Sequence, residues 1–156
     1  MKAKHQAIKR LLAWAFAICS VLTLSGCLGN DEKSFDSVYK HFLRDGEVIA
    51  SAVENGRPED ALSLRWIESA DESDGYVDFF CGGSGMGSQT NYTGFFYTPE
   101  DDPLAMWRKS GSAAVSGFQE TEDGWEYRES EHDAGGDNVF LVRKLAPCYY
   151  YYHLHF

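Results

Sequence analysis

The sequence predicts an α+β domain: a helix near the start of the mature chain, packed on an antiparallel meander sheet of six or seven strands. Three observations predict it. Phe35, Val38, Tyr39, Phe42, Ile49, Ala52 and Val53 recur at helical spacing. From Leu62 onward the apolar period falls to two, as in strands buried on one face. Turn residues punctuate that second half, at Gly82–Ser88, Asp123-Gly124 and Gly135–Asn138.

Residues 1–26 stand apart from the domain. Lys2, Lys4, Lys9 and Arg10 precede an apolar stretch over residues 11–24, with no acidic residue in either part. This is the charge and hydropathy pattern of an export signal. At 1.5 Å per residue the 14-residue stretch reaches only about 21 Å, short of the ~30 Å hydrocarbon core. Ser25-Gly26 supplies small residues for a peptidase, and Cys27 follows at once. Leu24-Ser25-Gly26-Cys27 resembles the lipobox of bacterial lipoproteins. The resemblance covers residues 1–27 only. It implies a diacylglyceryl group on the Cys27 thiol, cleavage before Cys27, and a domain held outside the cytosol. Where the host has two membranes, Leu28 in place of an Asp implies the outer one; otherwise the anchor sits in the cell membrane. Each acyl CH₂ buried contributes about 0.8 kcal/mol, so two chains hold stably. Residues 27–34 are then the lipidated Cys and a short polar tether, and residues 35–156 one domain. Residues 28–34 reach at most about 25 Å when extended.

The mature chain of 130 residues is long enough for its own core. The chain has 14 Lys+Arg; without the four in the signal, 10 face 24 Asp+Glu, a formal charge of −14. That balance argues against nucleic acid and against anionic membrane surfaces as partners. Cys19 leaves with the signal. Cys81 and Cys148 remain, an even number in an exported chain, and predict a disulfide. It would close 67 residues of chain, stabilising by about 4 kcal/mol in the chain-entropy account. The competing reading is two buried thiols.

Along the domain, Asp31 or Ser34 caps the helix and Asn55-Gly56-Arg57-Pro58 stops it, with Gly46 as a point of possible division. Leu62, Leu64 and Trp66 alternate as a strand; Val77, Phe79 and Cys81 share a face of the next; Tyr92–Tyr97 is a third. Leu104–Trp107 is a helical turn, 113–120 a strand, and Trp125–Glu129 its return across Asp123-Gly124. Val139–Val142 and Cys148–Phe156 complete the sheet. One helix covers one face of such a sheet and leaves the other wet.

Few motifs carry chemistry. Gly82–Ser88 lacks the phosphate-loop Lys and precedes a strand, so it is a flexible hairpin loop running to Asn91. Ser84 has no nucleophile elbow around it, because Met86 stands where the second Gly belongs. The acidic runs at Asp71–Asp74, Glu100–Asp102 and Glu120–Asp123 match no calcium loop. His153 and His155, two apart on a strand, point the same way and with Glu131, His132 or Asp133 offer zinc ligands. Tyr149 to Tyr152 are consecutive. If Cys148 faces the core, Tyr149, Tyr151, His153 and His155 form an outward face suited to stacking on sugar rings or gripping an extended peptide. The alternative is that these tyrosines stabilise the sheet or lie under the helix.

The sequence therefore points to a lipid-anchored, extracytoplasmic, non-enzymatic binding or interaction module with no cofactor. Its expected partners are an envelope protein, a peptide or a glycan. Two other classes stay open: a small metal-assisted hydrolase using His153 and His155, and a structural envelope component.

Overall fold

The computed structural model describes residues 33–86, 89–129 and 137–156. The expected signal, Cys27 and the expected tether up to residue 32 lie outside the described residues, as do Glu131, His132 and Asp133.

Helix α1, Phe35–Glu54, starts where Ser34 turns its Oγ to accept the Ser37 amide, with Asp36 complementing the positive end of the dipole. It runs unbroken through Gly46 and ends at Asn55, where Gly56 takes up φ +61°. Its buried side chains are Val38, Phe42, Ile49 and Ala52, one stripe of a 3.6-residue period. Residues Pro58–Ser63 then form a 3-10 helix, not the strand that the Leu62/Leu64/Trp66 alternation suggests. Pro58 sets the first turn, and the alternating residues lie on a tight coil that delivers Trp66 to the core.

Among the described residues seven strands follow: β1 Ser69–Ser73, β2 Tyr76–Met86, β3 Gln89–Tyr97, β4 Gln119–Thr121, β5 Gly124–Arg128, β6 Val139–Ala146 and β7 Tyr149–His155. All neighbours are antiparallel, so the chain is mixed α+β as its periodicities predict. The order is β1-β2-β3-β7-β6-β5-β4, which corrects the simple meander. After β3 the chain crosses the sheet through helix α2, Ala105–Lys109, and a 3-10 helix, Ala113–Gly117. It then returns strand by strand until β7 closes against β3. The expected strand over 113–120 is thus a 3-10 turn followed by the three-residue β4.

Both faces of the sheet are packed at its centre, a second correction. On the first face α1 and Trp66 cover Phe79, Cys81, Phe95 and Tyr151. His41, Trp66, Phe95 and Phe79 form a column with centroids 5.2, 5.6 and 4.8 Å apart, and the Trp66 indole donates to Asp45 at 2.8 Å. On the second face α2 and the following turn bring Leu104, Ala105 and Trp107 onto Phe96, Phe140, Val142, Tyr150 and Tyr152. An aromatic run buried from both sides explains four consecutive tyrosines: alternate members serve different cores.

Cys81 and Cys148 are free thiols. Cys81 is buried two strands away from β7, level with Tyr152. Cys148 sits in the β6–β7 turn with φ +66°, about four rungs further along. Strand and rung spacings place their Cα atoms about 16 Å apart, against an upper limit of about 7 Å for a disulfide. The even count was a poor guide because alternation says nothing of position along neighbouring strands.

Candidate functional site

At the end of the sheet distal to α1 both faces carry accessible side chains. It is built from the β2–β3 arm beyond Cys81, the last residues of β7 and the start of β6. The pairing of β2 with β3 runs through Gly82↔Thr93, Ser84↔Asn91 and Gly85↔Thr90 to Met86↔Gln89. The ten-residue hairpin loop expected over Gly82–Asn91 is therefore mostly ladder. Glycine is what permits it: a Cβ at Gly83 would lie 2.6 Å from the Asn91 carbonyl oxygen, and at Gly85 1.9 Å from that of Gln89. A bulge between Phe80 and Gly82 re-aims the arm.

On the first face this end is polar. The Asn91 amide donates to Ser84 Oγ at 3.4 Å, which leaves Asn91 Oδ1 to accept from His155 Nδ1 at 2.8 Å. His155 Nε2 lies 3.9 Å from Asp137, and the His155 side chain is 31% exposed. Thr93 Oγ1 lies 3.4 Å from His153 Nδ1. The two histidines do share a face, as their spacing dictates. Among the described residues no three His, Cys, Asp or Glu side chains converge to hold a metal.

On the second face the same end is aromatic. Phe80 meets Tyr92 at 6.1 Å, Tyr92 meets Phe156 at 5.9 Å, Phe156 meets Phe140 at 5.2 Å, and Phe140 meets Tyr127 at 5.2 Å. This row crosses β2, β3, β7, β6 and β5 at one level. Tyr92 and Phe156 are 41% and 38% exposed, so the row is open to solvent at its middle.

Of the two readings of Tyr149 and Tyr151, an outward face or a place under the helix, the structure has the second. Tyr151 is 5% exposed and packs edge-on against Phe35 at 5.4 Å; Tyr149 lies half-buried against Phe42 at 5.1 Å. The outward aromatic surface therefore passes to Tyr92 and Phe156. The alternation of Phe80, Tyr92, Leu154 and Phe156 was available to find them. The bulge after Phe80 and the β3–β7 pairing, both non-local, were needed to place them together.

Away from this end, Asp78 and Asp101 depart from ordinary carboxylate behaviour in opposite directions. Asp78 on β2 points to the second face, and burial, only partly offset by the Tyr152 hydroxyl facing it, raises its pKa to about 6. Its Oδ1 has no hydrogen-bond partner among the described residues. Tyr152 reaches it by crossing over Gly94, where a Cβ would fall 2.5 Å from the tyrosine oxygen. Asp101 does the opposite. It accepts from Lys144 at 2.7 Å, the Tyr150 hydroxyl at 2.7 Å and the Cys148 amide at 2.7 Å, which lower its pKa to about 2. Asp101 thereby ties the β3–α2 loop to the β6–β7 turn.

No protein-family model matches the chain, and comparison with curated proteins and with solved structures likewise gives no match.

Proposed function

We propose that the chain is a bacterial lipoprotein, acylated on Cys27 after removal of residues 1–26. Its domain then works outside the cytosol, at the cell membrane or the outer membrane, as a non-enzymatic binding module. The Leu24-Ser25-Gly26-Cys27 sequence supports the anchor. The observation that carries the binding reading is the open aromatic row centred on Tyr92 and Phe156, at the end of a sheet whose two faces are packed at its centre. Exposed rings of this kind stack on sugars or on apolar side chains of a protein partner. The five residues between Cys27 and Lys33 span at most about 18 Å, so the domain rides close to the lipid and meets envelope components there.

Two measurements test this. Intact mass of the membrane-extracted protein is expected to show a diacylated or triacylated N-terminus at Cys27, and Cys27→Ala to leave the chain unprocessed and unacylated; an unmodified thiol refutes the anchor. Photo-crosslinkers introduced at Tyr92 and Phe156 in cells are expected to capture an envelope protein, peptide or glycan, while the same probe at the distant, exposed Leu62 does not. Equal capture at all three refutes the binding surface.

A further inference from the structure

β2 outruns β1. Their last pair is Ser69↔Phe80, and their last backbone bond is Glu68 N–H to the Phe80 carbonyl at 2.8 Å. Beyond it the bulged Cys81 gives its carbonyl to Lys33 Nζ, and Gly82–Met86, about 17 Å of strand, pairs with β3 on one side only. The exposed backbone groups can be identified. Thr90 exchanges both backbone hydrogen bonds with Phe156, at 3.2 and 3.0 Å, so Thr90, Tyr92 and Gly94 point toward β7. Asn91 and Thr93 then point toward β2, and their partners Ser84 and Gly82 complete those bonds. Gly83 and Gly85 are left pointing outward, and no hydrogen bond from either to anything beyond β3 exists among the described residues.

Edge strands are ordinarily blunted by Lys, Pro or an inward-pointing charge. Here one such device stands at the start of the edge, where the Lys33 ammonium donates to the Trp66 and Cys81 carbonyl oxygens; beyond it Gly83 and Gly85 carry no side chain, and Gly85 is exposed. What flanks the arm sets the chemistry of an added strand. On the second face the rings of Tyr92 and Phe80 lie over Gly83, 3.3 and 3.6 Å from where a Cβ would be. Beside Gly82 stands the exposed carboxylate of Glu68, 2.9 Å from its built Cβ, and the adjoining β1 exposes Asp71 and Glu72. We infer that the outer edge of β2 at Gly83–Gly85 accepts an extended segment of a partner protein by strand addition, and that this segment alternates basic with apolar or aromatic residues. Backbone bonds to Gly83 and Gly85 supply the register, the Tyr92/Phe80 rings receive an apolar side chain, and the acids of Glu68 and β1 select positive charge. The mature charge of −14 disfavours the same edge on a second copy as occupant. This inference rests on the binding reading above and narrows it from several ligand classes to one.

The test uses the full chain in detergent micelles and a capped peptide of about ten residues alternating Lys with Val and Tyr. The Gly83 and Gly85 amides are followed by hydrogen exchange in nuclear magnetic resonance spectra. Saturating peptide is expected to slow both amides about tenfold or more while leaving Phe79 unchanged. The matching peptide with Glu for Lys is expected not to bind. Glu68→Lys is expected to weaken the basic peptide about fivefold, and Tyr92→Ser likewise. Four results overturn the inference: no binding of the basic peptide, binding without protection of Gly83 and Gly85, equal binding of the acidic peptide, or protection in the free protein through a dimer or through residues 27–32. If crosslinking at Tyr92 and Phe156 captures a partner while these amides stay unprotected, the strand-addition inference falls and the broader binding reading stands.

Discussion

Asp78 makes the stability of this domain depend on pH in a direction opposite to that of most carboxylates. The group sits on β2 facing the second core. Tyr152 lies against it across Gly94, Asp71 stands opposite on β1, and Oδ1 lacks a partner among the described residues. Burial is the leading cause of its raised pKa, from 3.8 to about 6; the Tyr152 hydroxyl opposes the rise and the charge of Asp71 adds to it. A carboxyl whose folded pKa exceeds its unfolded one binds more protons when folded. Its contribution is therefore fully present below pH 3.8 and is lost as pH rises toward about 6, with little further change above. A shift of about two units corresponds to about 3 kcal/mol. Asp78→Asn removes the charge while keeping the shape and an oxygen that accepts from the Tyr152 hydroxyl. Urea unfolding of wild type and variant at pH 3.5, 5 and 7.5 isolates this group together with its coupling to Asp71, since titrations that do not sense Asp78 cancel in the difference. The variant is expected to match wild type within about 1 kcal/mol at pH 3.5 and to exceed it by about 2–3 kcal/mol at pH 7.5. Asp71→Asn is expected to reproduce a smaller part of the gain. A difference that stays flat from pH 3.5 to 7.5 refutes the reasoning.

Three further expectations follow from packing. Gly94→Ala places a methyl against the Tyr152 oxygen and the Phe79 carbonyl oxygen, at 2.5 and 2.6 Å, and the backbone partner cannot step aside. A loss of about 2–3 kcal/mol in chemical denaturation is expected, and a neutral result would mean that Tyr152 does not cross β3. Phe95→Ala opens the middle of the His41–Trp66–Phe95–Phe79 column and is expected to cost about 3–5 kcal/mol, checked by the midpoint of thermal unfolding. In native protein a maleimide reagent is expected to label Cys148 and to spare Cys81, whose thiol burial pushes up to about 12, until urea exposes it. Mild oxidant is expected to leave both unlinked to each other; a Cys81–Cys148 bond found by peptide mapping would contradict the separation of the two strands.

Much of the fold was legible because its signals are local. The stripe from Val38 to Ala52 and the Ser34 cap define α1 within one segment of chain. Asp123-Gly124 announces the β4–β5 turn, and Leu104–Trp107 marks the short α2. Less was legible where two structures share one pattern. Leu62, Leu64 and Trp66 alternate like a strand, yet Pro58 starts a 3-10 coil there. The Gly82–Asn91 stretch has loop composition, but its glycines serve close backbone approach in a ladder. His153 and His155 were correctly placed on one face, whereas Tyr149 and Tyr151, on the same alternation, disappear under α1.

By itself the sequence determined the periods: a helix with one apolar stripe, strands with two distinguishable faces, and the charged, apolar, small-residue and Cys order of residues 1–27. These depend on residues a few positions apart, where geometry is set by bond rotation and local hydrogen bonds. Only the tertiary structure decided that β3 lies beside β7, that α2 closes the second face, and which aromatic rings stay in water. An alternating strand offers the same two faces whatever later covers them. The choice is made by contacts between segments dozens of residues apart, and no local pattern of side chains records it.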